Sequence, residues 1–448
     1  MTKKKWALLI VCILLLAGYY KLFYKTYSKS VVAKSADCVI SIDVKRIINT
    51  VTWNTITTPG QWKKPSFFSS DKDKISWDDM VKIPDYIFVF HSANHPINAW
   101  YAVLEIKDKD DFNKGLQQYH FEKDVDLYFS KQLGIVLLQN GNNLLVGNLA
   151  IADKKFIRET ASELFIKKEY VTRNLLKKNA DAGSHLAVQF FKNCFLKADA
   201  VIKANFDKTT ITAEAILNPD AKFSFTETNF SYSGNSFCST GFTQPSAAIY
   251  GLLTDSSRAA ISNVLNFNID SLMLPKNDHY SLDIAAIQPS IDSAISYNYD
   301  DNFNRVEKVV VNTVMEPSFN FIVRGNGSAS LYNYWQKNGK LESTDKGELF
   351  IPMPFVKSYC SRKNSQELNI TSSNYSTAIL DKNINCVFFL NVLITKIPAP
   401  LMKYLPGDLS TALSNIESIQ ITAQKNQEQI NVHCNLNKKK NDLPIVEW

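Results

Sequence analysis

Apolar and polar positions alternate along much of this chain, and the alternation stops at short polar breaks. That is how antiparallel strands with one buried face read. In 202–218 (IKANFDKTTITAEAILN), Ile202, Ala204 and Phe206, then Ile211, Ala213, Ala215 and Leu217, share a face across a polar turn. In 421–437 (ITAQKNQEQINVHCNLN), Ile421 and Ala423, then Ile430, Val432, Cys434 and Leu436, do the same. The two segments align without a gap, and each predicts a β-hairpin. Asn140-Gly141 between IVLLQ and NLLVG predicts a third, tight one. Helical spacing is clearest in 153–178, where Phe156, Ile157, Ala161, Leu164 and Phe165 fall on one side.

Further segments pair in the same order: 36–43 with 246–255, 101–119 with 321–339, and 186–193 with 385–391. Ordered matches of this kind indicate an internal repeat. The expected fold is therefore α+β: two related modules with antiparallel sheets and flanking helices, preceded by one transmembrane helix. The expected divisions are a cytoplasmic stub 1–5, an anchor 6–23, a first module 37–218, a linker region 219–244, a second module 245–437 and a tail 438–448.

The anchor rests on residues 6–23, which contain one charge, Lys21, close to the far end. Eighteen residues of helix nearly match the roughly 20 needed to cross hydrocarbon. Trp6 and Tyr20 suit the two interfaces, and Leu14 and Phe23 belong to the apolar run. Lys3, Lys4 and Lys5 precede it and set the N-terminus inside, the body outside. A cleaved signal peptide is the alternative, but bulky Tyr19 and Tyr20 follow Ala17-Gly18 where small residues are wanted.

Charge supports this division. The formal net charge is +7, yet seven lysines precede Asp37 with no acidic residue among them. The other 43 basic residues are matched by 43 acidic ones, so the body offers no concentrated basic face for nucleic acid. Hydrophobic residues make up 45% of the chain, enough for a core without staples. Seven cysteines are scattered without a CxxC, which is neither a zinc pattern nor a dense disulfide framework.

The search for chemistry returns no catalytic, cofactor or metal set. His91 and His95 have HxxxH spacing, but they follow a strand-like YIFVF and precede Pro96, so the pair reads as part of a turn. Asp78 and Asp79, and the group Asp108, Asp110 and Asp111, read as solvated loops or helix starts. Trp53, Trp62 and Trp77 lie in a polar, Pro-containing stretch and are the candidate contact aromatics, able to stack on a sugar or anchor a protein. The alternative is that they plug small cores under loops.

A short basic start, one anchor and then the strand SADCVISIDVKRI resemble the uncharacterised N-terminally anchored envelope proteins of Gram-negative bacteria. The resemblance implies the inner membrane, a periplasmic body and no particular activity. The expectation is a non-catalytic binding or assembly module with an envelope protein or glycan as partner. The alternatives are an envelope hydrolase acting on glycan, cell-wall or lipid substrates, and a lipid-handling protein.

Overall fold

The computed structural model describes residues 24–57, 75–148, 154–243, 254–265, 279–299, 305–352, 356–375, 381–398 and 413–439, with 268, 270 and 303, and without 29, 173, 175, 178–182, 194, 208, 222 and 224. The chain divides into two compact units, one built mainly on Met1–Asn218 and the other on Pro219–Lys440.

In unit 1 the strands are β1 (Ala36–Asp43), β2 (Val81–Lys82), β3 (Tyr86–Ser92), β4 (Trp100–Ile106), β5 (Glu122–Asp124), β6 (Leu127–Ser130), β7 (Ile135–Asn140), β8 (Asn143–Gly147), β9 (Leu186–Phe190), β10 (Ala200–Phe206) and β11 (Thr210–Leu217). Every pairing is antiparallel. The order across the sheet is β5-β6-β7-β8-β4-β3-β1-β9-β10-β11, with short β2 beside β4. The helices are α1 (Val44–Thr57), α2 (Trp77–Met80), α3 (Lys109–Gln118) and α4 (Lys154–Ala161), the last continued by a wider turn over Ser162–Lys167. Both faces of the sheet are covered at β7. Val136 and Leu138 join Phe90, Tyr101, Ile157 and Leu164 in one core, while Leu137 joins Met80, Phe112 and Leu116 in another.

Unit 2 contains β12 (Thr228–Tyr232), β13 (Cys238–Thr243), β14 (His279–Tyr299), β15 (Arg305–Arg324), β16 (Leu341–Thr344), β17 (Gly347–Phe350), β18 (Ser358–Asn364), β19 (Glu367–Ser372), β20 (Lys382–Cys386), β21 (Phe388–Leu393), β22 (Ile416–Asn426) and β23 (Gln429–Lys438). Helices α5 (Asp255–Leu265) and α6 (Ser328–Lys337) accompany them. The order is β16-β17-β18-β19-β15-β14-β13-β21-β22-β23, again antiparallel throughout, with β12 and β20 paired separately. Strand for strand this is the order of unit 1. Register agrees too: Ile202 lies opposite Ala215 in one hairpin, and Ile421 opposite Cys434 in the other. The core gathers under α6, where Leu331 and Trp335 meet Tyr280, Val323, Phe350 and Leu368.

The α+β expectation is corrected. Among the described residues 50% are in strands and 21% in helices, so the fold is predominantly antiparallel sheet with short helical insertions. The helix expected over 153–178 ends early. Lys168 turns left-handed at φ 57°, and the chain returns so that Tyr170 pairs with Ala33 and its hydroxyl donates to the Leu164 carbonyl. The stretch 219–244 holds two strands, β12 and β13, rather than a linker alone. β13 occupies the place of β1, whereas 246–253, matched to β1 from sequence, lie outside the described residues. No helix among the described residues is long and apolar enough to cross a membrane. Residues 1–23, with Lys3, Lys4, Lys5, Trp6, Leu14, Tyr20 and Phe23, lie outside the described residues.

Candidate functional site: a two-stranded arm

The candidate site begins with strand length. Strands usually span 3–10 residues, yet β14 has 21 residues and β15 has 20. Only their bases belong to the sheet: β13 pairs with 279–284 of β14, and β19 pairs with 320–324 of β15. From 286 to 299 and from 305 to 318 the two strands pair only with each other among the described residues. At about 3.4 Å per residue this ribbon is about 45 Å long.

Its sequence is not that of a solvated ribbon. On β15, Phe319, Phe321 and Val323 face the core of unit 2, and the same period of two carries Val311 and Val309 onto the arm. Ile295 lies opposite Val309. Ile295, Val309 and Val311 are 60%, 64% and 61% exposed. The Arg305 guanidinium sits 3.5 Å from the ring centroid of Tyr297 near the tip, and Phe303 beyond it is exposed. A two-stranded ribbon is marginal in water by itself. Contiguous exposed apolar side chains on such a ribbon mark a contact surface.

Unit 1 has the same corner, closed. There β3 and β4 are joined by 93–99 alone. Ala99 is buried, and His95 packs 4.7 Å from Phe156 of α4 with its Nδ1 3.0 Å from the Tyr101 hydroxyl. His95 Nε2 is 3.6 Å from Glu159. Burial pushes the His95 proton affinity down, while Glu159 pulls it up. His91 points elsewhere, with Nδ1 2.7 Å from Asp37 and Nε2 3.1 Å from the Pro96 carbonyl. The two histidines therefore serve separate partners. Among the described residues no group of three His, Cys, Asp or Glu side chains gathers to hold a metal. Beside His95 an open cleft of about 500 Å³ is lined by Lys34, Glu159, Glu163 and Lys167. Glu163 is already engaged, accepting the Ser35 backbone N–H and hydroxyl at 2.7 Å each.

In unit 2, buried Asp283 accepts from the hydroxyls of Ser239 at 2.6 Å, Ser236 at 2.9 Å and Tyr375 at 3.1 Å, beside a cavity of about 70 Å³. Three donors on one carboxylate satisfy it in place, which makes it a structural pin for the start of β14.

The tryptophans separate. Trp53 stands 66% exposed on α1. Trp77 is a plug: it stacks on Tyr119 at 5.4 Å, meets Phe121 edge-on at 6.4 Å and packs on the core around Met80. Trp62 lies outside the described residues. The acidic groups are helix starts. Asp108 caps α3 by accepting from the backbone of Asp110 and Asp111, which holds its carboxyl below the usual range. Asp79 closes a box with Ser76 at α2.

The arm was not among the elements expected from the sequence. The signal was length: the strand-like runs 279–299 and 305–324, on either side of one polar break, are each about twice an ordinary strand. Comparison with protein-family models, curated proteins and solved structures found no match.

Proposed function

We propose that this chain is a non-catalytic assembly protein of the cell envelope, tethered to the cytoplasmic membrane by 6–23 with its body in the periplasm. The observation that carries the reading is the arm of unit 2, an exposed apolar ribbon whose backbone edges are open to another strand. The side is supported by Lys3, Lys4 and Lys5 ahead of the apolar run.

The test replaces 286–318 with the seven-residue turn 93–99 of unit 1, in the full chain. Complexes are then compared after mild solubilisation of membranes. The full chain is expected in an assembly that the turn-grafted chain no longer enters. Identical assemblies from both chains would remove the arm as the contact element, and a C-terminal reporter active only in the cytosol would overturn the location.

A further inference from the structure

We propose that the partner of the arm is the arm of a second copy of this chain, paired antiparallel along the outer edge of β15. This rests on the assembly reading and specifies it.

Three observations choose the edge and the occupant. The first is which edge is open. Each strand of the arm carries one proline, Pro289 on β14 and Pro317 on β15, but Pro317 lies at the base, which leaves 305–316 of β15 as an uninterrupted row of N–H groups. The β15 edge has no strand partner over that length among the described residues. The second is charge. Lys308 and Glu316 share one face of β15, eight residues apart. A two-fold axis through residue 312, normal to the sheet, sets each copy's Lys308 opposite the other's Glu316. Opposite charges directly across a strand pair are favourable, and like charges there are not. The third is the apolar set. The same register puts Val310 against Val314, Val309 against Met315 and Val311 against Thr313. An isologous contact of this kind uses one patch twice, as closed dimers do. A bilayer is the poorer occupant, because the sequence between β14 and β15 includes Asp300 and Asp301, and carboxylates are costly in hydrocarbon.

The experiment uses the full chain in native membranes and in detergent. A cysteine at the axis, N312C, is expected to give a covalent dimer on oxidation with copper phenanthroline. The parental chain and S296C, placed on the outer strand of the arm, are expected to give none, because two further strands separate the S296C positions. K308E and E316K are each expected to weaken dimerisation at least tenfold by sedimentation, and K308E/E316K together to restore it to within about threefold. That rescue separates pairing from misfolding.

The proposal is overturned by a parental chain that stays monomeric, by equal cross-linking at both positions, or by a double variant no better than the single ones. It is also overturned if a fluorophore on N312C in proteoliposomes is quenched by spin-labelled lipid, which would make the bilayer the occupant. A monomeric chain whose larger assembly still disappears on grafting the unit 1 turn would remove self-pairing and leave the assembly reading standing.

Discussion

The corner joining β3 to β4 and the corner joining β14 to β15 occupy the same place in two units whose strands run in the same order. They end differently. In unit 1 the strands stop where α4 brings Phe156 and Glu159 over the turn, and His95 and Ala99 are folded into the body. In unit 2 the strands continue, and the core-facing period of two runs on as exposed valines. The comparison teaches that the sheet fixes where a corner lies, while local cover fixes whether it closes. An uncovered corner that keeps its apolar period presents a surface to something else.

The strongest way to break the parallel between the units is through the helix that follows this corner. α3 buries Phe112 and Leu116, and α6 buries Leu331 and Trp335, the same two positions with large and small exchanged. Trp335 is fully buried, with its ring 4.8 Å from Phe350. Trp335→Ala should cost about 3–5 kcal/mol, read as a lower denaturation midpoint in urea. L331F/W335L imports the unit 1 pair, removes only three side-chain heavy atoms where Trp335→Ala removes nine, and should cost clearly less than Trp335→Ala if the two helices share one packing solution. A loss as large as that of Trp335→Ala would show that the helices seat differently.

A smaller effect tests the middle of the sheets. Ser41 pairs with Ala187 in unit 1, and Gly241 pairs with Phe389 at the corresponding place in unit 2. A Cβ on Gly241 would lie 2.5 Å from Phe389 and 2.6 Å from Phe230. The missing side chain is thus the space that the two rings fill. G241S should destabilise by about 1–3 kcal/mol through overpacking. Placing F389A beside it restores the unit 1 pairing, so the double variant should cost less than the sum of the two single changes. Strict additivity in the thermodynamic cycle would mean that the two positions do not share this volume.

The hairpins 202–218 and 421–437 were legible because hairpins keep their period of two and these two keep their spacing. The match of Cys434 to Ala215 proved informative: both lie opposite an isoleucine in the same register. Burial holds the Cys434 thiol above its ordinary range. What sequence did not convey was the balance of sheet and helix. The spacing over 153–178 suits a helix along its whole length, but the chain turns back at Lys168 to pair at Tyr170, a tertiary contact that no local period announces. Trp77 and Trp53 come from one stretch, and only packing on Tyr119 separates a plug from an exposed ring. The arm was hidden because alternation reports that one face differs from the other, and does not say what covers it.

The smallest effect concerns pH and rests on two largely buried histidines of unit 1. His185 Nε2 lies 2.7 Å from the Thr50 hydroxyl and Nδ1 3.1 Å from Asn205, with the ring stacked 4.0 Å from Phe206. Burial pushes its proton affinity down, the Asn205 contact acts against that, and Arg46 adds to it. His95 is lowered by burial as well. A histidine held neutral by the fold binds its proton more readily when unfolded. Its contribution to stability is therefore present above about pH 6.5 and is lost as pH falls below that value. Thermal midpoints should decline between pH 7 and 5, and H185Q, which keeps an amide for Thr50 and Asn205, should flatten the decline. H95Q should flatten it further. If the slope is unchanged in H95Q/H185Q, the acid sensitivity belongs to groups other than these two histidines.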